Sequence, residues 1–149
     1  MKHVRLPLLF TLLLFSGACS DKLNLSLLDG NYKGYFYHIR PGDTNYLKSP
    51  GPISLKLSEK EYTSTGSDSR IPAGGSGEFI LINKDDIEFT DKHVWTADFD
   101  WNLILNGRFI YEFKTDSLIL TRKFENCNTC EIKPGMMPGL YQYRLKRTN

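Results

Sequence analysis

His93-Val94-Trp95-Thr96-Ala97-Asp98-Phe99-Asp100-Trp101-Asn102-Leu103-Ile104-Leu105-Asn106-Gly107-Arg108-Phe109-Ile110-Tyr111-Glu112-Phe113 is the most regular stretch of the 149-residue chain. Trp95, Ala97, Phe99, Trp101, Leu103 and Leu105 fall on one face of an extended segment. Thr96, Asp98, Asp100, Asn102 and Asn106 fall on the other, and Ile104 is the exception. Asn106-Gly107 follows, and both central residues of a type I′ turn need positive φ, so the pair predicts a tight hairpin. Phe109, Tyr111 and Phe113 alternate on the returning strand. On this reading Trp101 lies in the core, where truncation to Ala costs several kcal/mol, while Asp100→Ala costs little.

The same two-residue period extends outward in both directions. Tyr32 to Ile39 is an aromatic-rich strand ending at the Arg40-Pro41-Gly42-Asp43 turn, and the stretch to Pro52 reads as a loop. Ile53, Leu55 and Leu57 alternate with Ser54, Lys56 and Ser58; Glu59-Lys60 turns the chain and Glu61 to Thr65 returns it. Gly66 to Gly77 reads as a long, mobile linker, and Phe79–Ile82 with Ile87–Thr90 as a hairpin around Lys84-Asp85. After Thr115-Asp116, Leu118 and Leu120 mark another strand; residues 124–139 are irregular, and Tyr141, Tyr143 and Leu145 form the last. Almost no room remains for crossover helices, so the sheet is antiparallel. Closure hides its edges. The expected fold is all-β, a single antiparallel up-and-down barrel of about eight strands, with a β-sandwich as the alternative.

Composition fits one globular domain: 40% hydrophobic, 13% aromatic and 24% charged residues, with no internal repeat. The formal charge of +2 rests on Lys2 and Arg5. Without them 17 basic side chains face 17 acidic ones, which is not the basic footprint that nucleic-acid binding needs. Lys2 and Arg5 precede a 10-residue apolar run, Leu6–Phe15, too short for the roughly 20 helical residues of a membrane span. Small residues and a cysteine follow. Residues 1–18 therefore read as a secretory signal, and Ser16-Gly17-Ala18-Cys19 resembles a bacterial lipoprotein box. That resemblance implies acyl chains on Cys19, a tether over residues 19–28 and a barrel domain over 29–149. Each buried methylene contributes about 0.8 kcal/mol, so two or three chains anchor firmly. Ser20 stands where an inner-membrane retention signal carries Asp, which favours the outer membrane, with the periplasmic or surface face left open.

Leu28-Asp29-Gly30-Asn31-Tyr32, opening the first strand, resembles the Gly-x-Trp start of lipocalins, with Tyr in place of Trp. In that family a basic side chain from the far end of the barrel covers the aromatic ring, which implies such a role for Arg147 or Arg144. Asp116-Ser117-Leu118-Ile119-Leu120 and the closing Tyr143-Arg144-Leu145-Lys146-Arg147 are similar to small lipocalin-like lipoproteins of the Bacteroidetes. The chain has no Thr-Asp-Tyr motif and no long C-terminal helix.

Cys127-Asn128-Thr129-Cys130 lacks the βαβ setting of a redox motif, and outside the cytoplasm such a pair closes a disulfide. Zinc would need a second pair of ligands, while Met136 and Met137 nearby suit either copper(I) or packing. No metal or cofactor is expected. Asp98 and Asp100, bracketing Phe99 on a strand, would stand about 6.5–7 Å apart, close enough for calcium or paired-carboxylate chemistry. With the tryptophans inward, however, both face water and lack the desolvation that separates two pKa values. His38 and His93 read as strand-end or surface residues. Gly74-Gly75-Ser76-Gly77 lacks the Lys-Ser/Thr and helix of a phosphate loop. No nucleophile, base and oxyanion site assemble, so the chain does not read as an enzyme.

The aromatics remain. Trp95, Phe99, Trp101, Phe109, Tyr111, Phe113, Tyr141 and Tyr143 are expected to converge on one interior, either filled or partly open to a small hydrophobic ligand. The functional expectation is a lipid-anchored, lipocalin-like binding protein, with loops 41–52, 66–77 and 124–139 gating an apolar or amphipathic molecule. The alternative is an interaction or accessory lipoprotein, with a filled barrel and loops that touch an envelope partner.

Overall fold

The computed structural model describes residues 25–39, 50–68, 70–124 and 139–148. Residue alternation becomes a wall with an inside and an outside. In β2 (Gly51–Ser58) Ile53, Leu55 and Leu57 are buried while Pro52, Ser54, Lys56 and Ser58 are exposed. The same rule runs through β1 (Gly30–Ile39), β3 (Glu61–Thr65), β4 (Gly75–Leu81), β5 (Asp86–Asp91), β6 (Gly107–Lys114), β7 (Ser117–Arg122) and β8 (Leu140–Thr148). Every strand pairs antiparallel with its sequence neighbour, and β1 also pairs with β8, from Asn31↔Thr148 to Ile39↔Leu140. The result is a closed eight-stranded up-and-down barrel with no free edge. Gly34 makes that closure possible, because a Cβ there would lie 1.9 Å from the carbonyl oxygen of Arg144 on β8.

One end is sealed by short connections and by the segment that leads into β1. Residues 59–60, 82–85 and 115–116 turn the strands there, with Glu59 and Thr115 at positive φ. A 3-10 turn, Leu25–Leu27, leads into buried Leu28, whose carbonyl accepts the Tyr32 hydroxyl at 2.7 Å. Tyr32, Leu55, Leu57, Leu118 and Leu145 fill the space beneath. The longer connections, 40–50, 66–74, 92–106 and 123–139, all join strands at the opposite end.

The structure corrects the reading of its most regular stretch. Residues 93–105 do not form a strand; 92–106 link β5 to β6 as an irregular lid containing a 3-10 turn, Trp101–Leu103. Local hydrogen bonds win over the ladder. Asp100 accepts the amide of Asn102 at 3.1 Å, and the amide of Phe99 bonds back to the Thr96 carbonyl at 3.1 Å. Trp101 is 50% exposed instead of core, while Ile104, the exception to the alternation, is buried. Asn106-Gly107 is correspondingly not a hairpin turn. Gly107, at φ +86°, opens β6 opposite Phe89, and the Asn106 carboxamide oxygen accepts the Asp91 amide at 3.0 Å.

Two loop boundaries also move. Gly51 and Pro52 are already part of β2, opposite Phe36 and Tyr35. Gly66–Gly77 is not one mobile linker: Gly75–Gly77 lie in β4, Ala73 is buried, and the Ser67 hydroxyl donates to the Ile71 carbonyl at 3.1 Å.

Candidate functional site

The lid is fastened to the barrel rim by a few polar side chains. Asp91, at the end of β5, has a carboxylate only 4% exposed. It accepts from the Ser76 amide at 3.2 Å and the Trp95 indole N–H, and lies 3.3 Å from the Tyr62 hydroxyl and 3.1 Å from His93 Nδ1. Tyr62, inward on β3, also donates to the Leu105 carbonyl at 2.8 Å. The amide of Ala73 donates to the Leu103 carbonyl at 3.0 Å, joining the lid to loop 66–74. Leu103, Ile104 and Leu105 are buried by these contacts, and in the lid's outer part Trp95 packs on Phe99 with ring centroids 4.8 Å apart and planes tilted by 31°.

Behind the lid stands an aromatic interior. Phe109 meets Phe89 edge-on at 5.7 Å and Tyr143 at 5.9 Å, Tyr143 lies 4.6 Å from Phe36, and Phe89 meets Tyr62 edge-on at 5.3 Å. His38 continues this face toward the lidded end, stacked on Phe36 at 5.8 Å with an interplanar angle of 9°. Of the expected aromatics, Phe109, Tyr141 and Tyr143 are buried within the barrel. Tyr111 and Phe113 are partly buried against the core. Trp95, Phe99 and Trp101 belong to the lid and not to the wall, because the segment carrying them leaves the sheet.

Arg122 is the residue the sequence reading passed over. It follows Leu118 and Leu120 at the two-residue period, which was its available signal, and so turns inward from β7. Its guanidinium lies 5.2 Å over the Phe109 ring and donates to the lid carbonyls of Ile104 at 2.9 Å and Trp101 at 3.3 Å. Burial pushes its pKa down, while Tyr143, Tyr141 and Asp100 act in the opposite sense. Two polar groups in this cluster have no hydrogen-bond partner among the described residues, Arg122 Nε and the Tyr143 hydroxyl. Burial also pushes the Tyr143 phenol up, so that it stays protonated as a donor.

At the sealed end a basic side chain covers the Tyr32 ring, and of the two expected candidates it is Arg147, reaching across from the adjacent strand and not from the far end of the barrel. Arg147 lies 5.4 Å over the Tyr32 ring and 5.1 Å over Phe113, and donates to the Tyr32 hydroxyl at 2.8 Å and to the Leu27 carbonyl. It reaches the ring from the adjacent strand at the same end of the barrel. Arg144 instead covers Tyr37 on the outer wall at 4.7 Å.

The remaining candidates separate. Asp98 and Asp100 lie in the lid and not side by side on a strand; Asp98 is held below the usual carboxylate range by the Thr96 side chain, and Asp100 caps the 3-10 turn. His93 is half-exposed beside Asp91. Gly75–Gly77 lie in β4, so no phosphate cradle forms there. No cluster of three or more metal-ligating side chains stands among the described residues. Cys19, Cys127, Cys130, Met136 and Met137, with the lipidation and disulfide expectations resting on them, lie outside the described residues.

Fold and site together define a closed antiparallel barrel with a sealed end, a lidded end and an aromatic core between. No protein family, curated protein or solved structure matches the chain.

Proposed function

We propose that this chain is an outer-membrane lipoprotein of lipocalin-like design that binds a small apolar or amphipathic molecule and catalyses no reaction. The observation that carries the reading is the asymmetry of the barrel. Its aromatic core is closed at one end by turns, Leu28 and Arg147, and at the other by a lid held through Asp91, Tyr62 and Arg122. Ligand sites are lined mostly by apolar and aromatic side chains with a few placed polar groups, and the side chains of this core are of those kinds. Chain direction supports the anchor. Residues 20–24 separate Cys19 from the 3-10 turn at the sealed end and span at most about 18 Å even when extended. Acylation of Cys19 thus puts the sealed end against the membrane and turns the lid away from it.

One observation favours a second reading, a platform for a protein partner. Val94 is 99%, Trp101 50% and Phe124 49% exposed around the lidded end. Native mass spectrometry of the full chain released from membranes, before and after organic extraction, separates the two. The binding reading predicts a copurifying small molecule that extraction removes; a bare protein that crosslinks through Trp101 to an envelope protein supports the platform. Labelled palmitate tests the anchor. Incorporation is expected in the natural chain and not in Cys19→Ser, and equal labelling, or none in either, contradicts it.

A further inference from the structure

We propose that the outer wall of β8, β1 and β2 is a binding surface for an acidic glycan, a sugar polymer that bears carboxylates. The inference uses the outside of the barrel and stands apart from the reading of its core. Over the full chain 19 basic side chains stand against 17 acidic ones, yet the closed sheet separates them. β7, β8, β1 and β2 are contiguous and contain no Asp or Glu. Each of β3 to β6 contains at least one. On that acidic half Glu78, Asp86 and Glu88 are matched by Lys92, Lys123 and Arg108.

The other half keeps unmatched cations. Lys33 and Lys146 stand directly across from each other on β1 and β8, where like charges repel. Lys56 and Arg144 sit opposite the next outward residues of β1 on either side of Lys33, Asn31 and Tyr35. All four are exposed. Asp116 lies 3.6 Å from Lys146, while Lys33, Lys56 and Arg144 make no ion pair among the described residues. Shape and lining name the polyanion. Shallow open depressions of about 440 Å³ and 330 Å³ flank Lys33. The first offers the hydroxyls of Ser54, Thr63 and Thr65 beside Lys56, and the second that of Ser117 beside Arg144 and Lys146. Tyr35, 51% exposed, lines the second. Hydroxyls suit sugar hydroxyls, an exposed ring suits the apolar face of a pyranose, and the cations take carboxylates. A bilayer is flat and meets this convex wall along one line, whereas a glycan chain can cross β1 and enter the depressions on both sides.

The test titrates the full chain, in nanodiscs of net-neutral phosphatidylcholine, with hexagalacturonate, with uncharged maltohexaose and with polyphosphate of equal charge. Acetylation footprints the lysines in parallel. The surface predicts hexagalacturonate binding about tenfold or more tighter than maltohexaose. Lys33, Lys56 and Lys146 should be protected, and Lys84, in the β4–β5 turn, should not. Lys33→Gln should weaken that binding about three- to fivefold without lowering the melting temperature, because it removes the repulsion with Lys146. Tyr35→Ala should weaken hexagalacturonate about fivefold and leave polyphosphate unchanged. Equal binding of the two hexasaccharides, binding of neither, or equal protection of Lys84 overturns the surface. A Tyr35→Ala variant that binds hexagalacturonate like the parent reduces the wall to a general attraction for polyanions and overturns the glycan. Protection of the three lysines by phosphatidylglycerol nanodiscs and not by hexagalacturonate also overturns it, and assigns the wall to the membrane.

Discussion

Arg147 and Tyr32 stand 115 positions apart in the chain, yet the guanidinium donates to the phenol at 2.8 Å and lies over its ring. Through that pair the last strand closes onto the first, and the Leu27 carbonyl ties in the entering chain. Arg147→Lys keeps the charge but loses the flat, forked contact. It should destabilise by on the order of 1–2 kcal/mol, and Arg147→Ala by about 2–3. Urea denaturation of both variants checks this, and equal stability with the parent would show that the pair does not seal the barrel.

Asp91 should govern the lid. Its buried carboxylate gathers Tyr62, Ser76, His93 and Trp95, so Asp91→Ala removes the acceptor of the Trp95 indole and leaves Tyr62 the Leu105 carbonyl alone. The expected cost is on the order of 2–3 kcal/mol. The Trp95 indole loses its acceptor, so the tryptophan emission should shift together with the stability. A full loss of stability with unchanged emission would place the effect elsewhere in the barrel.

Truncations should rank by the barrel's inside and not by the alternation of the lid. Phe109→Ala, in the buried ring cluster, should cost about 3–5 kcal/mol, whereas half-exposed Trp101→Ala should cost about 1 or less. Asp100→Ala should lose about 1 kcal/mol with its cap on Asn102. Thermal melts of the three order them.

How these residues read in the sequence follows from what each local signal measures. Ile53, Leu55 and Leu57 were legible because a half-buried strand has one period and nothing nearby competes with it. Trp95 to Leu105 carry the same period, but Asp98 and Asp100 offer the backbone local partners, and both neighbours of the would-be strand are already taken: β5 pairs directly with β6. Gly75–Gly77 looked like a linker because glycine is rare in strands; here Gly77 lets the Thr90 carbonyl approach to 1.9 Å of where a Cβ would stand. Arg122 was missed because a basic residue at a strand end ordinarily faces water. Only the lid's carbonyls turn that position into an interior one. Arg147 over Tyr32 was legible through resemblance, since no spacing joins positions so far apart.

Alkaline pH should loosen the barrel through its interior phenols. Burial, reinforced at Tyr62 by the Asp91 carboxylate, raises the pKa of Tyr62 and Tyr143 above the ordinary 10.0. A group whose folded pKa is raised stabilises fully below its unfolded value and loses that contribution as pH rises beyond it. The urea midpoint should therefore hold up to about pH 9 and fall steeply above about pH 10. Tyr143→Phe should flatten the fall; an identical slope would mean that Tyr143 titrates normally in the fold.

Amide hydrogen exchange along the full chain tests the one-sided barrel most directly. Amides of β1 and β8, paired from Asn31↔Thr148 to Ile39↔Leu140, should exchange only with global unfolding. Those of Leu103 and Ile104 in the lid should exchange through a cheaper local opening, and Asp91→Ala should speed them without changing β1 and β8 beyond the global loss. Lid amides protected as strongly as β1, or a sealed end that opens before the lid, would contradict a barrel that opens at one end only.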